Sequence, residues 1–138
     1  MNKILKLLPH RDPFVLVSNL LESTSSHTIT QFQIDKNQLL VENNVLSAAG
    51  LIENMAQTAA AGLAYQSQLG KDTDQNPTVG YIGQIKNLKI YFRPEIGSVI
   101  ETKTTNVHQV MNAHIVDAEV LLGEDIVARA EVRVFLPS

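Results

Sequence analysis

The chain has 138 residues, of which 44% are hydrophobic and 18% are charged, and its formal net charge is −3. This composition can bury a core, so a disordered or collagen-like chain is excluded, and the length predicts a single domain over residues 1–138. The absence of cysteine excludes disulfides, thiolate zinc sites and cysteine nucleophiles. With 11 lysines and arginines and no concentrated basic face, the sequence predicts no nucleic-acid partner.

The sequence also lacks the features of a signal peptide or a membrane span. The N-terminal apolar run is interrupted by Lys6 and ends at Pro9, which makes it too short for a signal-peptide core. Residues 45–69 carry little charge, but much of their apolar content is alanine. A bilayer span of about 20 residues is expected to be richer in leucine, isoleucine and phenylalanine. We therefore expect a soluble, cytoplasmic protein with no membrane partner.

The N-terminal third of the chain predicts two strands. Residues 14–21 are a short apolar run that follows Pro13 and is typical of a buried strand. In residues 28–34 the apolar positions Ile29, Phe32 and Ile34 predict a second strand. Residues 35–44 are polar and irregular, which predicts a loop with at most one helical turn.

A long helix is predicted over residues 48–68. Ser47 is a suitable N-cap, no proline interrupts the segment, and Gly70 marks its end. At 1.5 Å per residue such a helix is about 30 Å long, close to the diameter of a small domain. Glu53 is its one charged residue, so it lacks the charged outer face of a surface helix. We expect the rest of the protein to surround it.

The remaining chain predicts four strands, over residues 79–91, 98–107, 113–122 and 126–135, with turns at Gly97, at residues 111–112 and at residues 123–125. Their short connections favour antiparallel pairing. Two strands, one buried helix and four strands are best accommodated by an antiparallel sheet that curls around the helix. This is an α+β architecture, the hotdog fold.

Glu53 is the main candidate for chemistry. A carboxylate on an apolar helix is desolvated, which suits an acid or base near neutral pH. Gly50 and Gln57 share its helical stripe, and Gly50 would let a ligand approach the backbone closely. The free amides at the helix N-terminus suit a thioester oxyanion. The alternative is that Glu53 pairs with a nearby lysine or arginine, or reaches solvent.

The four histidines do not form a recognisable metal site. His10, His27, His108 and His114 lack metal-ligand spacing, and no carboxylate cluster accompanies them. We therefore predict no metal and no cofactor. For His10, which lies between two prolines, we favour a hydrogen bond that holds the N-terminal segment. A nucleophile-elbow serine motif and a glycine-rich phosphate loop are both absent from the sequence.

Three blocks of sequence resemble the β-hydroxyacyl-ACP dehydratases of fatty acid synthesis. Residues 8–17, LPHRDPFVLV, resemble the family's N-terminal signature Leu-Pro-His-Arg-x-Pro-Phe-x-Leu-Val. Residues 51–57, LIENMAQ, resemble its helix motif Leu-Ile-Glu-x-Met-Ala-Gln, and residues 92–94 with Gly97 resemble a later strand-to-turn segment. The blocks occur in the family's order over nearly the whole chain, and the resemblance implies the hotdog fold.

The resemblance also implies an activity. The family eliminates water from a 3-hydroxyacyl thioester carried on a phosphopantetheine arm. A histidine removes the proton next to the thioester carbonyl, and a helix carboxylate of the opposite subunit of a dimer handles the departing hydroxyl. Amides at the helix N-terminus hold the thioester oxygen. By resemblance Glu53 is the catalytic carboxylate and Gln57 is its neighbour on the helix face. We predict that Gly50 and Gln57 bind substrate beside it.

The loop that carries the family's histidine has no matching histidine in this sequence. The histidine normally lies in a Gly-His-Phe-Pro-Gly loop before the helix, whereas residues 39–50 read LLVENNVLSAAG. Asn43 and Asn44 cannot accept a proton at neutral pH, but they can hydrogen-bond an acyl thioester or a water, so we predict them to bind substrate. The loop resembles a divergent dehydratase-like subgroup associated with aryl-polyene and related pigment lipids, whose members resemble partners of complete dehydratases.

Three functions follow from these observations. The first is a dehydratase or dehydratase-like protein of fatty acid or polyene lipid biosynthesis that binds acyl-ACP or acyl-CoA and is either impaired in water elimination or dependent on a paralogous subunit for the histidine. The second is a non-catalytic acyl-thioester binder or a structural subunit, and the third is a thioesterase in which Glu53 activates water. The N-terminal signature favours the first. Because dimers pair the free strand edges of such sheets, we expect a homodimer, or a heterodimer with a paralogous dehydratase.

Overall fold

The computed structural model describes residues 4–69 and 81–135. Its elements are, in chain order, α1 (Ile4–Leu7), β1 (Asn19–Ser23), β2 (His27–Gln33), β3 (Val41–Glu42), β4 (Val45–Leu46), α2 (Ala48–Gln68), β5 (Tyr81–Ile90), β6 (Val99–Val110), β7 (Ala113–Leu122) and β8 (Asp125–Phe135). The predicted succession of two strands, a long helix and four strands is present. The predicted turn at Gly70 and residues 79–80 of the third predicted strand lie outside the described residues.

Six strands form one antiparallel sheet in the order β1-β2-β6-β7-β8-β5, and α2 packs against it. Tight turns join β6 to β7 and β7 to β8, with Met111 at φ 56° and Gly123 at φ 60°. Strands β3 and β4 form a separate hairpin directly before α2. The predicted α+β hotdog architecture is confirmed.

Helix α2 has the bounds that the sequence predicts, and Ser47 is its N-cap: the Gly50 N–H donates to Ser47 Oγ at 3.1 Å. Thirteen of its 21 residues are buried. Leu51, Met55 and Leu63 lie in the main core together with inward-facing residues of the sheet. In contrast, Ala48 and Ala49, in the first turn of the helix, are exposed. The helix is therefore enclosed along most of its length and open near its N-terminus.

Small residues on α2 allow two close contacts. A Cβ at Gly62 would collide with the side chain of Thr28, so glycine lets strand β2 approach the helix backbone. Ala60, Ala61 and Ala64 form a second core cluster with apolar residues of the N-terminal segment, Ile4, Leu7, Leu8 and Val17. The helix α1, which the sequence did not predict, contributes Ile4 and Leu7 to this cluster.

The predicted strand over residues 14–21 is wrong in its first part, because β1 begins at Asn19. Leu16 and Val17 are buried as expected, but the backbone of Leu16 hydrogen-bonds side chains of α2 instead of a neighbouring strand. We call residues 14–16 the strap. An apolar run signals burial equally well whether its backbone pairs with a strand or with helix side chains, so the sequence pattern could not separate the two.

Strand β5 is an irregular edge of the sheet. It pairs with β8 on one side, and its register shifts between Ile82 and Gln84 and again between Lys86 and Lys89. Asn87, within the second shift, has φ 56°. Beyond the end of β5, Tyr91 and Phe92 remain 55% and 38% exposed. This edge of the sheet is therefore partly apolar, and its main-chain N–H and C=O groups are unevenly spaced.

Candidate functional site

Glu53 lies on the second turn of α2, and its side chain is partly buried. Its Oε2 accepts a hydrogen bond from Gln57 Nε2 at 3.2 Å, one helical turn further along. Among residues 4–69 and 81–135 no lysine or arginine forms an ion pair with it. The hydrogen-bond partner of the Glu53 carboxylate is thus a neutral amide. The catalytic role of Glu53 stays a prediction.

Gln57 is 1% exposed and is held by the strap. The Leu16 N–H donates to Gln57 Oε1 at 2.8 Å, and Gln57 Nε2 donates to the carbonyl of Phe14 at 2.8 Å as well as to Glu53. All polar atoms of this side chain therefore have partners within the protein. Substrate contact by Gln57 stays a prediction. The structure shows its hydrogen bonds to the strap and to Glu53.

Asn54 is a buried polar residue whose function the sequence pattern left unassigned. It is fully buried, and its Nδ2 donates to the carbonyl of Leu16 at 2.8 Å while its Oδ1 accepts from the Thr102 hydroxyl. The Thr58 hydroxyl donates to the Asn54 carbonyl and contacts Thr30 on β2. The sequence did contain a signal for this buried polar network: Asn54 and Thr58 are spaced i, i+4 on a helix that was expected to be enclosed. Together these contacts fix the strap and strand β6 against α2.

Gly50 serves packing. A side chain at this position would overlap Leu46 and would approach Leu40 Cβ to 3.3 Å, while the backbone N–H donates to Ser47 Oγ. The space that the sequence assigned to a ligand is thus filled by protein, which corrects the predicted reason for this glycine. Substrate contact by Gly50 stays a prediction. The amides of Gly50 and Leu51 both bond to Ser47, which leaves those of Ala48 and Ala49 at the exposed end of the helix.

Asn43 and Asn44 form the two-residue turn of the β3–β4 hairpin. Their φ angles are 53° and 67°, and the pairs that flank them are Glu42 with Val45 and Val41 with Leu46. Two consecutive residues with positive φ are typical of a type I′ turn, in which asparagine is favoured. Both side chains are exposed. The predicted loop before the helix is therefore partly a hairpin, and two successive positive φ angles explain both asparagines on conformational grounds.

The hairpin is attached to the segment that follows β5. The Leu46 N–H donates to the Pro94 carbonyl at 2.8 Å, and the Ile96 N–H donates to the Asn44 carbonyl at 2.9 Å. Arg93 and Glu42 also approach to 3.8 Å, at exposed positions. The block at residues 92–94 with Gly97 is thus adjacent to the start of α2, the helix that carries the second block and Glu53.

Glycine can separate the conformational role of Asn43 and Asn44 from a role in binding, because it adopts positive φ without a side-chain amide. The variant Asn43→Gly/Asn44→Gly is expected to keep the stability of the wild type to within about 0.5 kcal/mol, whereas Asn44→Ala loses about 1 kcal/mol. Chemical denaturation measures both. If acyl thioester binding, followed by calorimetry, weakens in the double glycine variant at unchanged stability, the amides contact substrate; unchanged binding contradicts that prediction.

Among the described residues, no hydrogen bond joins a histidine side chain to Glu53. His10 Nδ1 is buried and has no hydrogen-bond partner in the described part of the chain, so this nitrogen does not make the hydrogen bond that was predicted for His10. His27 Nε2, at the start of β2, contacts Glu22 Oε2 near the end of β1 at 2.6 Å. Burial lowers the pKa of His114 below its ordinary value of 6.5. Residues 4–69 and 81–135 contain no group of three metal-ligating side chains.

Two open grooves lie away from Glu53. One, of about 520 Å³, is on the outer face of β5 to β8 and is lined by charged residues that include Lys103, Glu119 and Arg129. The other, of about 400 Å³, lies between the C-terminal half of α2 and β6–β7, and His108 and His114 line it. Neither is lined by Glu53. Within the described ranges, no helix combines the length and hydropathy that crossing a bilayer requires.

Comparison with known proteins places these features in a family. The model of the family described as "ApeP-like: ApeP dehydratase" matches residues 2–138. The 3-hydroxyacyl-[acyl-carrier-protein] dehydratase FabZ of Polynucleobacter asymbioticus is 38% identical over 77 residues, which cover 51% of each chain. The FabZ of Polynucleobacter necessarius is 36% identical over the same length. The chain thus spans about half the length of the curated relatives it matches.

Solved structures support the fold. A chain of "The Dehydratase Heterocomplex ApeI:P from Xenorhabdus doucetiae" superposes with a TM-score of 0.85 at 17% identity, covering 98% of this chain and 91% of that one. A hypothetical thioesterase of Streptococcus pneumoniae, solved with coenzyme A, gives a TM-score of 0.70 at 13% identity, with 87% and 85% covered. Since the family model extends over nearly every residue, the chain belongs to the ApeP-like dehydratase family of hotdog proteins.

Proposed function

We propose that this protein takes part in the elimination of water from 3-hydroxyacyl thioesters on acyl carrier protein, with Glu53 as its reacting group. In this reaction a base removes the C2 proton, the C2–H electrons form the C2–C3 double bond, and the C3–O bond breaks. The departing hydroxyl takes a proton from the Glu53 carboxyl and leaves as water. The products are a 2-enoyl thioester and water.

The observation that carries this proposal is the placement of Glu53. It is the one charged residue on α2, it lies near the open end of an otherwise enclosed helix, and its carboxylate is oriented by a neutral amide. No lysine or arginine among the described residues forms an ion pair with this carboxylate. The carboxylate is therefore available for proton transfer to a substrate that reaches this end of the helix.

A second subunit is needed to supply the base. Residues 39–50, which occupy the place of the family's histidine loop, contain no histidine and fold into the β3–β4 hairpin. We propose that a paralogous dehydratase provides this histidine in a heterodimer. The similar ApeI:P structure, which is a dehydratase heterocomplex, supports this arrangement. We propose that this partner also forms the opposite wall of the substrate pocket at Glu53.

The partner is expected to dock near β5. Among the described residues this strand is an edge of the sheet. Around it, between 38% and 55% of the surface is exposed on Leu88, Tyr91, Phe92 and Phe135. Sedimentation at micromolar concentration is expected to give a dimer, either of this chain or with the paralogue. In the same assembly, the backbone amides of Ala48 and Ala49, two exposed residues of the first turn of α2, are the proposed donors to the thioester oxygen.

The test is to assay the purified protein, a candidate paralogous dehydratase, and their mixture on 3-hydroxyacyl-ACP, following formation of the 2-enoyl thioester. We expect little or no turnover by this chain alone, and a rate in the mixture that exceeds the sum of the two separate rates. Turnover at ordinary enzyme rates by this chain alone would mean that another of its groups replaces the histidine. A mixture no faster than the paralogue alone, at full complex formation, would support a structural subunit without catalytic function.

A thioesterase is the second candidate, because a hypothetical thioesterase of Streptococcus pneumoniae shares the fold. In that reaction Glu53 would activate water against the thioester carbonyl, and the products would be a free acid and a free thiol. A thiol-detecting reagent in the assay above separates the two reactions, since dehydration releases no thiol. A cytoplasmic location, and the absence of membrane and nucleic-acid partners, stay predictions of the sequence.

A further inference from the structure

The side-chain amide of Gln57 joins the strap to Glu53. Its Oε1 accepts from the Leu16 N–H at 2.8 Å, and its Nε2 donates to the Phe14 carbonyl at 2.8 Å and to Glu53 Oε2 at 3.2 Å. The residue is 1% exposed, so water does not compete strongly for these bonds. Gln57 thus bonds two residues that precede it by 41 and 43 positions, and through the same amide it bonds Glu53 one helical turn before it.

These contacts determine the orientation of the amide. An amide has one acceptor oxygen and two N–H donors, and a rotation by half a turn would exchange them. The Leu16 N–H requires an oxygen and the Phe14 carbonyl requires a donor, so the strap permits one of the two orientations. In that orientation the second N–H points to Glu53 Oε2. A glutamine on an open helix surface would lack this constraint.

We infer that Gln57 is a positioning residue, whose amide the strap holds so that it fixes the carboxylate of Glu53 for reaction. The bond engages Oε2, while Oε1 accepts no hydrogen bond within the described residues and can meet the substrate hydroxyl. The proposed role of Gln57 is therefore indirect: it acts on the orientation of Glu53 and does not touch the substrate. This inference rests on the proposed function of Glu53.

The geometry can be tested without activity by nuclear magnetic resonance on the 15.2 kDa chain. In the variant Glu53→Ala, one of the two Gln57 side-chain N–H proton signals is expected to move upfield, because it loses its acceptor. The other, which faces Phe14, is expected to stay. If both signals or neither signal respond, Gln57 and Glu53 are not coupled through this bond, and the inference fails.

The kinetic test uses Gln57→Met in the mixture with the paralogous dehydratase. We expect kcat to fall about 10-fold to 100-fold with KM nearly unchanged, because a misoriented carboxylate slows proton transfer but not binding. Gln57→Glu keeps an acceptor for the Leu16 N–H and is the second variant if methionine prevents folding. A KM increase at constant kcat in either variant would instead assign Gln57 to substrate binding and overturn the inference.

Asn54→Ala is the matched control. Asn54 bonds the same strap, through the Leu16 carbonyl, but has no hydrogen bond to Glu53. We expect this variant to lose stability and to keep kcat near the wild-type value. An equal fall of kcat in Asn54→Ala and Gln57→Met would mean that the strap as a whole is responsible. Failure of the proposed function is distinguishable, since the mixture would then show no dehydration while the Gln57 signals could still respond to Glu53→Ala.

Discussion

Replacing Glu53 by glutamine is expected to lower kcat for dehydration by the mixture of this chain and its paralogous partner by about 100-fold to 10,000-fold, the range for loss of a general acid. Glutamine has nearly the same shape and can still accept the hydrogen bond of Gln57, so folding and assembly are expected to persist. The change removes the transferable proton and little else. Initial rates of 2-enoyl thioester formation, at saturating partner, measure the effect.

The control for this substitution is Glu124→Gln, an exposed carboxylate in the β7–β8 turn. It changes the net charge by the same amount and is expected to leave the rate unaltered. Retention of the full rate in the Glu53→Gln mixture would show that this carboxylate does not react. Complex formation by each variant is checked by sedimentation, so that loss of assembly is not mistaken for loss of chemistry.

The second large effect is expected at Asn54, where alanine should lower the free energy of unfolding by about 2–4 kcal/mol. The substitution leaves the Leu16 carbonyl and the Thr102 hydroxyl without their partner in a fully buried place. It also opens a small cavity between α2 and β6. For a chain of this length the corresponding fall in Tm is about 10 °C, and calorimetry or thermal circular dichroism measures it.

A double-mutant cycle with Thr102→Val tests the assigned cause. If the unpaired hydroxyl carries part of the cost, the double variant Asn54→Ala/Thr102→Val is expected to be more stable than the sum of the two single losses predicts. Strict additivity would mean that the contact between Asn54 and Thr102 contributes little. An Asn54→Ala variant as stable as the wild type would contradict the buried network itself.

The sequence was sufficient for the parts of the fold that depend on local chemistry. The bounds of α2 follow from the Ser47 cap and the uninterrupted helical residues, and the bounds of β7 from a turn on each side. The first strand was placed too early, because the backbone of Leu16 bonds Asn54 and Gln57, and these partners are distant in sequence. Long-range side-chain bonds to a main chain leave no periodic signal.

The candidate site was predictable in its residue types but not in their roles. Glu53 was identified because a single charge on an apolar helix is unusual, and the structure places it at the accessible end of that helix. The type I′ turn of Asn43 and Asn44 was missed, although paired asparagines are a known signal for it, because strands of two residues are too short to show alternation. The orientation of the Gln57 amide depends on tertiary contacts alone.

The irregular strand β5 has a consequence for association. Its two register shifts, one on each side of residues 84–86, leave a short stretch of evenly spaced main-chain donors and acceptors on the free edge. Indiscriminate addition of an extended peptide or of a misfolded copy requires a longer regular stretch, so such growth into fibrils is disfavoured. A subunit whose own edge strand has register shifts at the matching positions could still pair with β5. The backbone of β5 would then select its partner.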